Sequence, residues 1–209
     1  VTISRRSLLS LPALAGLASC GALSAASTAS DPLDTYTLSP LSPTEQRRGG
    51  RGHIVVELPT AGGEFATDRI LVRPTTQQAQ YLSDGRWADP APALVQTLLV
   101  GSLLNRAGFR LVTRVGAGLI PDYTVMTEIQ AFEATINPAV SVSSPETARA
   151  DIILHITLIR DADRAILDTR RIAASVLVNS DSTIAIVAGF DAAMKVVLAE
   201  TVAWLVSVT

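Results

Sequence analysis

Two histidines, His53 and His155, are the only side chains in these 209 residues whose ordinary pKa suits acid–base work near neutral pH. Each sits inside an apolar run that reads as a strand, so a histidine satisfied within a sheet is the first reading of both. Asp161, Asp163 and Asp168 lie close in sequence, which admits a calcium ion. Two of them frame Asp161-Ala162-Asp163-Arg164, however, a turn where solvated acids belong. No Gly-x-Ser-x-Gly, His-Glu-x-x-His or phosphate-loop pattern occurs. Gly116-Ala117-Gly118 lacks the third glycine of a dinucleotide fingerprint and leads into a strand instead of a helix. These patterns ask for no cofactor and no metal, and they point away from an enzyme.

The remaining reactive group is a thiol. Cys20 is the single cysteine, so no disulfide can form within the chain. Leu17-Ala18-Ser19 precede it, and the four together resemble a lipobox, the signal-peptidase site of bacterial lipoproteins. Arg5 and Arg6 supply a positive region, and the apolar stretch at residues 8–17 is too short to span a bilayer. The resemblance implies a diacylglyceryl group on the Cys20 sulfur and, after cleavage, acylation of its freed amine. Each buried methylene contributes about 0.8 kcal/mol, so several chains of palmitate length form a stable membrane anchor where one chain is marginal. Ser4-Arg5-Arg6-Ser7-Leu8-Leu9 resembles a twin-arginine signal, although two arginines serve general secretion equally well. Gly21, where a retention aspartate would stand, points to the outer membrane before the outer leaflet of the inner one.

These features divide the chain into a lipoprotein signal peptide (1–19), a lipidated N-terminus with a flexible small-residue tether (20–35), and one folded domain (36–209). The net charge is −2 and becomes more negative once Arg5 and Arg6 are lost, which excludes nucleic acid as an expected partner. Arg47-Arg48-Gly49-Gly50-Arg51-Gly52 is accordingly a solvated loop and not an RNA-contacting tract. With 48% hydrophobic and 17% charged residues, the domain must bury or dock an apolar surplus.

The periodicity predicts strands at 53–58, 67–73 and 78–82, the second ended by Pro74. Ser83-Asp84-Gly85-Arg86-Trp87 reads as a tight turn, and Asp89 with Pro90 as the cap and first residue of a helix to about Arg106, closed by Gly108. On that helix Gln96, Asn105 and Arg106 take the polar side. Further strands are expected at 109–115 and 121–135, with Val125, Ile129 and Ala131 on the side of Tyr123. Residues 149–161 and 165–178 form a hairpin, and Asp181 and Ser182 cap a final helix. The fold class is α+β, an antiparallel sheet with two long helices packed on one face.

The segments Asp68-Arg69-Ile70-Leu71-Val72-Arg73, Gln80-Tyr81-Leu82-Ser83-Asp84-Gly85-Arg86-Trp87-Ala88-Asp89-Pro90 and Leu94-Val95-Gln96-Thr97-Leu98-Leu99 are similar to the ABC-type transport auxiliary lipoprotein (PqiC-like) family. The resemblance implies a non-catalytic periplasmic lipoprotein that serves an ABC-type inner-membrane permease and an MCE-domain protein carrying phospholipid. It leaves a homo-oligomer open. Tyr81, Leu82, Arg86 and Trp87 are the partner-binding candidates, because aromatics are scarce in this chain and these flank a polar segment. The same two aromatics serve equally as packing between hairpin and helix. Two other functions stay open: an outer-membrane assembly or structural lipoprotein without a transport partner, and a periplasmic hydrolase with a pocket that gathers His53 or His155 with acids.

Overall fold

The computed structural model describes residues 32–44, 52–136 and 147–209. Cys20, the lipobox residues Leu17, Ala18 and Ser19, the tether before Pro32 and most of the arginine–glycine loop lie outside the described residues. In chain order the elements are β1 (Asp34–Tyr36), β2 (His53–Val56), β3 (Thr60–Ala61), β4 (Arg69–Thr75), β5 (Gln78–Trp87), α1 (Ala91–Arg106), β6 (Leu111–Arg114), β7 (Tyr123–Ile136), β8 (Ala148–Arg160), β9 (Ala165–Val178) and α2 (Thr183–Val208). The class is α+β, as expected. Neither described helix is long and apolar enough to cross a membrane.

β7 is the spine of the sheet. One edge pairs along its length with β8, antiparallel, and β8 pairs in turn with β9. Its other edge takes β2, β3 and β4 one after another, all parallel. β6 lies outside β2, β5 outside β4 and β1 outside β5. The sheet is therefore mixed, where hairpin logic had predicted antiparallel pairing throughout. Only neighbours in sequence obey that logic, and β7 recruits strands from far along the chain.

Strict alternation explains why β8 is central. Ile152, Leu154, Ile156 and Leu158 are fully buried and meet Leu94, Leu98 and Leu103 of α1 and Phe190, Met194 and Val197 of α2 in one apolar core. β7 keeps the same alternation only as far as Ile129. A bulge at Gln130 shifts the register, so Phe132 and Ala134 take over the core face. Ala131 accordingly leaves the side of Tyr123 on which its position had placed it.

Several local signals yield to pairing. Pro74 does not end β4, which runs on to Thr75 through an irregular register, so the missing N–H falls where the ladder is already broken. Asp84-Gly85 lies inside β5 instead of forming a turn, because Gly85 and Trp87 are held by β1 opposite Asp34 and Tyr36. Gly85 is needed there for room, since a Cβ would stand 2.8 Å from Thr183 Cγ2 and 3.0 Å from Tyr36 Cε2. Asp84 instead accepts a hydrogen bond from the Thr183 hydroxyl at 2.7 Å, tying β5 to the start of α2.

The cap of α1 is Pro90, without a side-chain hydrogen bond, so Asp89 does not cap it. Gly108, at φ 67°, follows the C-cap as expected. Gln96 is buried, not solvated, and its Nε2 donates to the Val56 carbonyl at 3.0 Å, fastening α1 to β2. Asn105 and Arg106 hold the incoming chain through the carbonyls of Leu41 and Ser42. For α2, Ser182 accepts from the Ala185 N–H and supplies the cap.

Gly189 is the contact point of α2 on the sheet. A Cβ added there would stand 2.5 Å from Val178 Cγ2 and 3.3 Å from Ala150 Cβ. Alanine improves helix propensity by about 1 kcal/mol, whereas overpacking a filled core costs about 1–3 kcal/mol. Gly189→Ala is therefore expected to lower stability by about 1 kcal/mol net, and a raised urea midpoint at unchanged slope would contradict the packing described.

Candidate functional site

The four residues singled out around β5 separate. Trp87 is only 1% exposed and stands edge-on to Phe132 and Phe190, with ring centroids at 5.6 and 5.2 Å. It is the centre of the core, and no partner can reach it. Tyr81 remains 41% exposed. Its hydroxyl donates to the Glu64 carbonyl at 3.3 Å, and the Arg69 guanidinium lies 5.8 Å from its ring centroid. Arg69 Nη2 also donates to the Leu82 carbonyl at 2.9 Å, so Tyr81 and the half-buried Leu82 are positioned by one side chain. Arg86, exposed, pairs with Asp68 at 3.2 Å. Tyr81, Leu82 and Arg86 therefore form the accessible part of this surface.

A second place was not foreseen. β2 ends at Val56 and β3 begins at Thr60, and between them Leu58 and Pro59 leave an edge of β7 uncovered. A hollow of about 240 Å³ opens there, lined among others by Glu57, Leu58, Met126, Glu128, His155 and Thr157. His155 faces Glu128 across the β7–β8 ladder, with Nδ1 3.8 Å from Oε2. Leu58 and Met126 are exposed, giving two carboxylates and an imidazole an apolar border. The residue that could have signalled this hollow is Pro59, which interrupts an otherwise continuous strand.

The arrangement suits a cationic group on an apolar arm more than it suits bond breaking. The hollow is the concave place that a hydrolase requires, and it does collect a histidine with acids. The hydroxyl of Thr157 is engaged by the Thr169 hydroxyl at 3.2 Å, and no serine or cysteine lines the hollow among the described residues. His53 lies elsewhere, 5% exposed, with Nε2 2.8 Å from the Thr113 hydroxyl and Nδ1 3.4 Å from the Ile120 carbonyl. Since a carbonyl only accepts, Nδ1 carries the proton and Nε2 accepts from Thr113. It is a structural strand histidine.

The three aspartates of the β8–β9 end face separate partners. Asp161 accepts from the Thr124 hydroxyl at 2.7 Å, Asp163 pairs with Arg160 at 2.7 Å, and Asp168 accepts from Trp204 Nε1 at 2.7 Å. Among the described residues no group of three or more His, Cys, Asp or Glu is arranged to hold a metal ion.

Asp168 fastens β9 to the end of α2. The Trp204 N–H, then the Thr169 N–H, hold its carboxyl below the ordinary carboxylate value. A carboxyl depressed by folding stabilises the native state above its unfolded pKa and loses that contribution as the pH falls through the lower folded value. The contribution is thus intact at neutral pH and fades below about pH 3.8. Asp168→Asn is expected to flatten this part of the acid limb in denaturation midpoints measured from pH 5 down to pH 2 (about the range in which a carboxylate titrates). An unchanged acid limb would remove Asp168 from the account.

The fold has counterparts. A family model for the ABC-type transport auxiliary lipoprotein component matches residues 36–203. The crystal structure of a Xanthomonas campestris protein of family DUF330 aligns with a TM-score of 0.71 at 22% identity, covering 83% of this chain and 95% of that one. A second crystal structure, of an uncharacterized protein, aligns with a TM-score of 0.64 at 13% identity, over 84% and 99% of the two chains. No curated protein matches the sequence significantly. At these identities the structures establish a shared fold. The sequence match runs from the end of β1 to within two turns of the end of α2, and on that ground the chain belongs to the ABC-type transport auxiliary lipoprotein component family.

Proposed function

We propose that the chain is a lipid-anchored periplasmic adaptor that serves an ABC-type permease and an MCE-domain phospholipid carrier by binding, without catalysis. The observation that carries this reading is the family match across the whole folded part, residues 36–203. Residues 1–19 act as the signal peptide, Cys20 bears the acyl chains at the periplasmic face of the outer membrane, and 20–35 set the reach of the domain. The absence of serine and cysteine from the described lining beside His155 supports binding over hydrolysis. Tyr81, Leu82 and Arg86 supply the partner contact, an amphipathic ring beside an exposed cation being a common anchor at interfaces.

Pull-down of an MCE-domain protein by the co-expressed full chain tests this directly, with retention expected. Tyr81→Ala is expected to weaken retention about tenfold, the loss of a moderate hot spot. Failure to associate when both proteins are present would sink the adaptor reading. A permease gene and an MCE gene beside this one favour the adaptor, and envelope-assembly genes favour a structural lipoprotein. A hydrolase reading keeps one observation in its favour, the meeting of His155 with two acids in a hollow.

A further inference from the structure

The chain leaves β6 at Arg114 and must return to start β7 parallel to the same neighbour, β2. It does so through residues 115–121, Val-Gly-Ala-Gly-Leu-Ile-Pro, a segment without one polar side chain. Three of its large apolar residues face solvent: Val115 at 67%, Leu119 at 58% and Ile120 at 93% exposure. Single exposed apolar residues are ordinary, but three within six positions form a patch that needs a partner.

The patch is held outward. The Ile120 carbonyl receives His53 Nδ1, and the next turn is clamped twice, by the Asp122 N–H on the His53 carbonyl at 2.9 Å and the His53 N–H on Asp122 Oδ2 at 2.7 Å. Gly116 and Gly118, at φ 102° and 70°, make the reversals that side chains would resist. The otherwise unexplained burial of His53 is thus the brace of this tip. At its base, on or beside β6, stand the exposed cations Arg110 and Arg114. Asp122, half exposed, accepts from the His53 N–H and pairs with Arg110 at 3.8 Å, which leaves Arg114 as the cation of this base without an acid among the ion pairs of the described residues.

We propose that residues 115–121 are a membrane-contact tip, dipping Val115, Leu119 and Ile120 into the acyl boundary while Arg110 and Arg114 meet anionic lipid headgroups. An apolar end with a cationic base matches the vertical polarity of a bilayer surface. Residues 115–121 carry no polar side chain, and two exposed arginines stand beside them, the sign of charge that anionic headgroups attract. The inference goes beyond the adaptor reading and agrees with it geometrically. The stretch from Cys20 to Asp34 reaches roughly 45 Å when extended, long enough for the anchor and a second contact on the domain to share one membrane.

The test uses the full chain carrying Cys20→Ser, which removes the native thiol, with Ile120→Cys labelled by an environment-sensitive fluorophore. Vesicles of equal parts phosphatidylethanolamine and phosphatidylglycerol should shift the emission to the blue and expose the probe to quenching by spin-labelled acyl chains. A probe at Thr169→Cys, exposed on β9, should stay in water. Adding Val115→Ser and Leu119→Ser should lower vesicle partitioning about tenfold or more. If the chain binds vesicles while the Ile120 probe remains unquenched, or does not bind at all, the tip is not a lipid contact. A probe shielded only when an MCE-domain protein is added would assign the tip to a protein partner and overturn the proposal equally. Acylation plays no part in this readout, so its result is separable from the fate of the anchor.

Discussion

Trp87→Ala will lower the free energy of unfolding by about 4 kcal/mol, the largest single effect expected in the folded domain. Truncating a buried aromatic costs about 3–5 kcal/mol through lost transfer energy and the cavity left behind. Here the ring is 1% exposed and stands edge-on to both Phe132 and Phe190, which are themselves 5.1 Å apart. These pairs add about 0.5–1.5 kcal/mol each beyond burial. A domain of ordinary stability holds only about 5–15 kcal/mol, so the variant should be near the edge of folding. Tyr81→Ala, whose ring is 41% exposed, should cost no more than about 1 kcal/mol. Urea denaturation followed by far-ultraviolet circular dichroism compares the two without relying on the tryptophan that is removed. A Trp87→Ala loss as small as that of Tyr81→Ala would show that the ring is not the centre of the core.

Cys20→Ser should reduce palmitate incorporation to background and move the chain from the membrane to the soluble fraction. The size of the effect follows from chain counting. Each methylene contributes about 0.8 kcal/mol, and one chain binds only marginally, so two or three chains supply nearly all of the membrane affinity. Oxygen cannot replace sulfur in the transfer of the diacylglyceryl group, so no partial anchor remains. The tip at residues 115–121 adds a contact of much smaller strength, and it should not keep the variant with the membrane through washing. Labelled palmitate retained by Cys20→Ser would end the lipoprotein reading of Leu17-Ala18-Ser19-Cys20.

The two large predictions draw on different information. The acylation proposed for Cys20 would be chemistry of a linear motif, dependent on four consecutive residues and not on the fold. Trp87 could not be assigned in that way. Its neighbours in sequence, Asp84, Gly85 and Arg86, carry the local signature of an exposed turn. The pairing of β5 with β1 on one side and β4 on the other straightens the segment and drives the ring beneath α2. The cost of placing poor strand formers such as Asp and Gly in a strand is about 1 kcal/mol each at most, and a row of ladder hydrogen bonds plus a buried indole outweighs it.

The same division runs through the chain. Residue types at short spacing determined the long strands β8 and β9, the reversal between them, the apolar face of Ile152 to Leu158, the closing of α1 at Gly108 and the Ser182 cap of α2. They also carried the family relationship later met across residues 36–203. Periods of 2 and 3.6 are properties of the backbone itself, which makes them legible before the fold is known. Tertiary structure alone decided that the sheet is mixed, that Gln96 turns inward to Val56, that a bulge at Gln130 exchanges Ala131 for Phe132, and that a hollow opens beside His155. It also decided that His53 braces an exposed apolar tip. In each case the partner lies dozens of residues away, and no local period records which distant strand will arrive at a given edge.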